Sequence, residues 1–320
     1  MIEVKVDNEY SALKSVILGL AEDMGDPPKV FDVYDPRSLY HIKNNSYPNE
    51  DDVKLEVESF YEILKKHNVN VLRPSNIQNC NQIFARDLGF SISNIFFQSN
   101  IVPNREEELV GISDIINALD AGVVKLPDYM HIEGGDVIAH NEKLFIGTYS
   151  GEDYSELITA RTNQESIKYL EKMIPSKNIK SINIKKSNTD VFENVLHLDC
   201  CFQPIGERKA LICPDSFVDK SDVDYLISYF GEKNTYIAYG QEAYMLISNI
   251  LVISPEVIVS DKRFKKMNTW LEKNGFLVEK ISYQNVSKMS GLLRCSTLQL
   301  LTEKYESFFF TYIDGVSKEF

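Results

Sequence analysis

The stretch HIEGGDVIAHNEKLFIGTY, residues 131–149, sets two apolar runs on either side of Asn141-Glu142. Two short apolar runs around a two-residue polar break read as a β-hairpin. NILVISPEVIVS (249–260) has the same form around Pro255-Glu256, and β-like runs recur at SVILGL (15–20), VNVLRP (69–74), NIFFQSNIVP (94–103), ALICPDSFV (210–218) and LLRCSTLQLL (292–301). Helical patterns lie between them. Over 51–67, Val53, Val57, Phe60, Ile63 and Leu64 fall at near-helical spacing, and 163–174 and 263–274 read likewise, the last stopped by Gly275. Hairpins near 94, 138, 205, 253 and 295 recur at intervals of roughly 40–65 residues, the mark of a repeated unit. No linker rich in Pro, Gly or Ser divides the chain. The pattern predicts one α/β domain over residues 1–320, built from about five similar modules.

The 320 residues carry 34 basic and 47 acidic side chains, a net charge of −13. That balance argues against a nucleic-acid binder, which needs an electropositive face, and against an anionic membrane surface. No apolar run reaches the ~18 residues of a membrane helix, and the first residues lack a signal-peptide pattern. Cys80, Cys200, Cys201, Cys213 and Cys295 are odd in number and lack framework spacing, so a reducing cytoplasm is expected. No CxxC or HxxxH pair points to zinc, and no metal is expected.

Five segments hold candidate chemistry. In HIEGGD, Glu133 and Asp136 flank Gly134-Gly135; this is a polar turn before a hairpin, or two carboxylates aimed at one cavity. In VLHLDCCF, a strand would place His197 and Asp199 on one face, as a hydrogen-bonded core pair or as working groups. In GLLRCSTL, Cys295 follows Arg294, a cation that would favour the thiolate, although cysteines in apolar runs commonly serve as small buried hydrophobes. Arg86-Asp87 before Gly89 is a loop ion pair or part of a site. In TARTN, Thr162 is a candidate helix N-cap, and Arg161 a candidate bidentate clamp for a carboxylate.

Taken together, the order RD, EGGD, ARTN, HLD and a late cysteine resembles the guanidino-group-modifying superfamily of arginine deiminases, dimethylarginine dimethylaminohydrolases and amidinotransferases. The resemblance runs from NEYSALKSVILG through SYPNEDDVKLEVESFYEILKKHNVNVLRP to the C-terminal cysteine. It implies the pentein fold, a five-bladed α/β-propeller of ββαβ modules with its site in the central channel. It also implies Cys295 as nucleophile, His197 as general acid/base and Glu133 as its acidic partner. Asp87 and Asp199 would grip the guanidinium, Asp136 would join them, and Arg161 would hold the substrate carboxylate. No cofactor is implied.

The branch marks are mixed. FIGTYSG, ARTN and GLLRCSTLQL look like the hydrolases; SYP, ARD and HLDCCFQPIG look like the amidinotransferases, whose GGGFHC stretch is missing and whose DAAD-like segment is EGGD here. Dimethylarginine hydrolases usually lack an acid at the Asp199 position, so Asp199 favours an unmethylated guanidine. The expectation is a deiminase-like hydrolase of arginine or a close relative. An amidinotransferase is the alternative within the superfamily, and a non-catalytic ligand-binding homologue the alternative outside it. The FFFTY pentad (308–312) has too much aromatic surface to sit exposed on a monomer, and reads as a final strand, a lid or a contact in a homo-oligomer.

Overall fold

The computed structural model describes residues 1–303; the FFFTY pentad lies outside the described residues. Five three-stranded sheets repeat one plan: an antiparallel pair, then a strand parallel to its second member. A parallel third strand needs a crossover, and each crossover is helical. In the third module Val137–His140 pairs with Lys143–Thr148, helix Gln164–Met173 crosses over, and Asn178–Asn183 completes the sheet. The second module uses Gly89–Ile92, Ile95–Gln98 and Gly122–Lys125. The fourth uses Phe202–Ile205, Lys209–Ile212 and Thr235–Ile237, and the fifth Leu251–Ser254, Val257–Asp261 and Leu277–Ile281. The result is the five-bladed α/β-propeller.

The first module departs from the expected local hairpin near 295. Its antiparallel partner comes from the far end of the chain: Thr297–Glu303 pairs with Ala12–Leu18, Thr297 opposite Leu18 and Glu303 opposite Ala12. Asn70–Leu72 then adds in parallel. Thr297–Glu303 thereby closes the ring onto Ala12–Leu18.

Helix Glu50–Lys66 shows how the crossovers attach. Asn49 caps it by accepting from the Asp52 N–H, and Glu50, Asp51 and Asp52 complement the positive end of its dipole. Val53, Val57, Phe60 and Leu64 are fully buried along one face. The helix expected over 163–174 begins after Asn163, whose side chain accepts from Ser166 N–H; Thr162 is not the cap. Helix Lys265–Lys273 ends ahead of Gly275 as the sequence suggests, and helix Lys220–Phe230 is an addition to the helices read from periodicity.

Candidate active site

Each blade presents a short turn immediately before its first strand. The turns Ala85–Leu88, Gly134–Asp136 and Leu198–Cys200 pack on one another, the first also against the ring-closing strand. His197 and Asp199 therefore sit at a turn and not within a strand, which begins only at Phe202. Asp87, Glu133, Asp199, Asn249 and Cys295 all fall two to four residues ahead of their strands, so five separate sequence positions meet where the blades converge.

His197 is the hub. Its Nε2 lies 2.7 Å from Glu133 Oε2 and its Nδ1 lies 3.5 Å from Asp87 Oδ1. Burial alone would push the imidazole down in pKa; Asp87, Glu133 and Asp136 outweigh it and hold it above the ordinary value. Burial would raise Glu133, but Arg161 and His197 hold it well below the usual carboxylate range.

The Gly-Gly pair works by close approach. A Cβ on Gly135 would stand 2.6 Å from His197 Cγ, and one on Gly134 2.1 Å from the Arg86 carbonyl oxygen. Only glycine lets the turns pack this closely. The flanking acids separate. Glu133 enters the site, whereas Asp136 accepts from Leu198 N–H at 2.9 Å and from Thr162 Oγ1 at 2.7 Å. Asp136, expected among the substrate ligands, has both oxygens committed to bracing the turn that carries His197 and Asp199.

Four buried arginines are tied into this centre. Arg105 binds Asp87 Oδ2 at 2.6 Å and holds both oxygens of Glu108. Arg161 donates to both Glu133 oxygens at 3.1–3.2 Å and to the carbonyls of Ile158 and Tyr34. This is the arginine expected to clamp a substrate carboxylate; these contacts fix its fork beside Glu133. Arg294 binds both oxygens of Glu9 and reaches Asp199 Oδ2 at 2.7 Å. It faces acids, away from the role of thiolate-promoting neighbour expected for it. Arg86 parts from Asp87 and points to the Arg294 carbonyl and toward Glu9; burial and then Arg294 bring its pKa down to about 10.

After this pairing, two carboxylate oxygens still face the centre. Asp87 Oδ1 has no hydrogen-bond partner among the described residues. Asp199 Oδ1 meets only sulfur, 3.4 Å from Cys200 Sγ and 3.7 Å from Cys295 Sγ. The Cys295 peptide is fixed at both ends: its N–H donates to Asn249 Oδ1 at 3.2 Å and its carbonyl accepts from Arg86 N–H at 3.0 Å. Asn249 Nδ2 donates to the Cys295 sulfur at 3.1 Å. Burial, Cys200, Asp199 and Asp87 push the Cys295 thiol well above its ordinary pKa.

Sequence reading missed Asn249, Glu9, Arg105 and Glu108. Asn249 had a signal, since it precedes its blade's hairpin as Asp199 does. Donor atoms of Asp199, Cys200 and Cys295 lie within 4.8 Å of one another, as do those of Asp87, Glu133 and His197. These are the two groups able to hold a metal among the described residues. The second is already engaged in ion pairs with Arg105 and Arg161.

A family model described as N,N dimethylarginine dimethylhydrolase, eukaryotic, matches residues 40–239. The chain belongs to that family. It is thereby a member of the guanidino-modifying pentein superfamily of enzymes. An uncharacterized protein of Bacillus subtilis (strain 168), YkgA, is 28% identical over 302 residues, covering 92% of this chain and 93% of its own. Among solved structures, the amidinotransferase SxtG of Microseira wollei superposes with a TM-score of 0.73 at 19% identity, covering 94% of this chain and 98% of its own. The N-terminal domain of ArgZ, a cyanobacterial arginine dihydrolase, gives 0.74 at 17% identity, covering 90% and 97%. Both likenesses establish the pentein fold. Among the described residues no helix is long and apolar enough to cross a membrane.

Proposed function

We propose that this family member hydrolyses the guanidino group of arginine or a close relative through a covalent adduct on Cys295. The observation that carries the reading is the pair of carboxylate oxygens not taken by arginine, Asp87 Oδ1 and Asp199 Oδ1, beside a fixed thiol and an acid-flanked imidazole. A guanidinium presents planar N–H donors, so carboxylates are its natural ligands. Seated between these acids, its central carbon faces the sulfur.

In the free protein burial and the neighbouring acids favour the protonated thiol, and Asp87 and Glu133 favour the charged imidazole over the burial that opposes it. An arriving cation offsets the negative field of Asp87 and Asp199, so that the thiol releases its proton to solvent and becomes the thiolate. Sulfur then bonds to the guanidinium carbon. His197 gives its proton to the departing nitrogen, and the C–N bond breaks to leave an S-alkylthiouronium. Neutral His197 next takes a proton from water, whose oxygen bonds to the same carbon. The C–S bond breaks, leaving a urea and the thiol. Arginine would give citrulline and ammonia. Glu133 keeps the imidazole oriented through both proton transfers.

The family match supports hydrolysis over transfer to an amine, and Asp199 supports an unmethylated nitrogen. The test supplies arginine and methylated arginines, with and without amine acceptors, and measures ammonia, methylamine, citrulline and ornithine. Citrulline and ammonia from arginine without an acceptor are expected. Ornithine that forms only with an acceptor overturns the hydrolase reading in favour of an amidinotransferase. A second arm treats the protein with 2-chloroacetamidine at pH 7–8; absence of labelling at Cys295 favours a ligand-binding homologue.

A further inference from the structure

All five cysteines are free, and two of them meet. The Cys200 and Cys295 sulfurs stand within 4.8 Å of each other, and both touch Asp199 Oδ1, at 3.4 and 3.7 Å. Cys200 belongs to the turn ahead of Phe202–Ile205, and Cys295 precedes Thr297–Glu303. Their backbones are held. Cys200 N–H donates to the His197 carbonyl at 3.0 Å, and the Cys295 peptide is tied to Asn249 and Arg86. The side chains are the parts left to move. A disulfide needs a sulfur separation of about 2.05 Å, and a rotamer change at either residue is the motion that closes the gap. Cys201, next in sequence, turns its sulfur to the Leu198 carbonyl at 3.3 Å, and Cys213 is packed in the main core.

The two sulfurs are not equally reachable. A cavity of about 410 Å³ has Cys200 on its wall, together with Arg37, Lys185, Tyr244 and Ser290, whereas Cys295 is not among its lining residues. Arg37 and Lys186 both lie within electrostatic reach of Cys200, and a neighbouring cation favours a thiolate. The hydrogen bond from Cys295 lowers the Cys200 pKa; burial and Asp199 raise it, and the balance lies above the ordinary thiol value. Cys295 is pushed well above that value, by burial first and then by its bond to Cys200. Cys200 is therefore the sulfur that a small reagent meets first and that ionises first.

We propose that Cys200 is a peroxide-modified thiol, reached through this cavity, and that Cys295 resolves it into a reversible Cys200–Cys295 disulfide. The Cys200 thiolate attacks one peroxide oxygen; the O–O bond breaks, hydroxide leaves and Cys200 becomes a sulfenic acid. The Cys295 thiolate then attacks the Cys200 sulfur, the S–O bond breaks and a second hydroxide leaves. The protons shed by the two thiols turn both hydroxides into water. Two thiols are oxidised and one peroxide is reduced. A dithiol reverses the bond by exchange. While linked, Cys295 has no nucleophile to offer. That consequence for turnover rests on the hydrolase reading above, whereas the disulfide itself does not.

The experiment treats the reduced full chain with hydrogen peroxide at pH 7 and pH 9 and blocks the remaining thiols with N-ethylmaleimide in denaturant. Trypsin then releases residues 187–208, which hold Cys200 and Cys201, and residues 295–304, which hold Cys295. Mass spectrometry should find these two peptides joined, more rapidly at pH 9 than at pH 7, and separated again by dithiothreitol. Fragment ions of the parent should place the bond on Cys200. Cys201→Ser should still form the link and Cys200→Ser should not. Because the bond is located in the parent itself, the result does not depend on either variant folding. A link through Cys201, or none at a dose that converts the exposed Met173 to its sulfoxide, overturns the proposal. Turnover of arginine in the same samples should fall in proportion to the linked fraction and return with dithiothreitol. A joined pair in a protein that turns over no guanidine, or that keeps full turnover while linked, overturns the reading of Cys295 as hydrolase nucleophile and leaves the disulfide standing.

Discussion

Replacing Asn249 by alanine isolates the contact that holds the sulfur. In the folded protein its Nδ2 is 3.1 Å from Cys295 Sγ and its Oδ1 is 3.2 Å from the Cys295 nitrogen, both fully enclosed. A hydrogen bond to an ionised partner contributes ~1.5–3 kcal/mol. At ~1.4 kcal/mol per tenfold, losing the donor should lower kcat/KM by roughly 10- to 150-fold and raise the thiol pKa by about one to two units. The orphaned Cys295 N–H costs stability as well, ~1–3 kcal/mol. Asn249→Asp should lose at least as much activity, because its carboxylate accepts the N–H but turns an acceptor toward the sulfur. The assay pairs kcat/KM across pH with iodoacetamide alkylation of the thiol and a thermal melt. An Asn249→Ala protein with kcat/KM within threefold of the parent and an unmoved alkylation profile, but a lower Tm, would show that Asn249 only packs.

Cys295→Ser should abolish turnover, while Cys200→Ser should keep substantial activity; the reverse pattern, read in the same product assay, reassigns the nucleophile. Because burial and the neighbouring acids raise the Cys295 thiol, neutral iodoacetamide should label it slowly at pH 7 and faster above the ordinary thiol range, whereas cationic 2-chloroacetamidine should label it readily at neutral pH. Equal rates for both reagents would remove the role given to the acids. His197 has a raised folded pKa, so its ion pairs stabilise the fold fully below about 6.5 and less as pH rises through the folded value. Glu133 has a depressed one, so its contribution is present above about 4.5 and fades as pH falls. The Tm advantage of the parent over His197→Gln should therefore shrink toward alkaline pH; constancy from pH 6 to 10 would contradict the assigned charge.

The repeated hairpins were legible because blade strands alternate with amphipathic crossovers, and Val53, Val57, Phe60 and Leu64 are buried as their spacing requires. Motif order brought Asp87, Glu133, His197, Asp199 and Cys295 to one list, and the structure gathers their turns. The pairing of the polar groups was not legible. Asp87 and Arg86 are adjacent in sequence but bind different partners, Arg105 and the Glu9–Arg294 pair. Such partners are fixed by which blades adjoin, information that no local window holds. For the same reason the contacts of Arg161 with Glu133 and of Asp136 with Thr162 and Leu198 could not be read from their motifs. The ring closure was missed because strand pairing between residues 12–18 and 297–303 leaves no trace of a turn.

That closure has a consequence for synthesis of the protein. Cys295 stands two residues ahead of the strand that zips onto Ala12–Leu18, and its neighbour Ser296 accepts from Gly19 N–H at 2.8 Å. Until Thr297–Glu303 has been made, Ala12–Leu18 lacks its antiparallel neighbour and Cys295 has no fixed position. The proposed site is therefore completed only when that strand pairs with Ala12–Leu18. A polypeptide cut ahead of Cys295 would keep Asp87, Glu133 and Asp199 but lose both the sulfur and the strand that closes the ring.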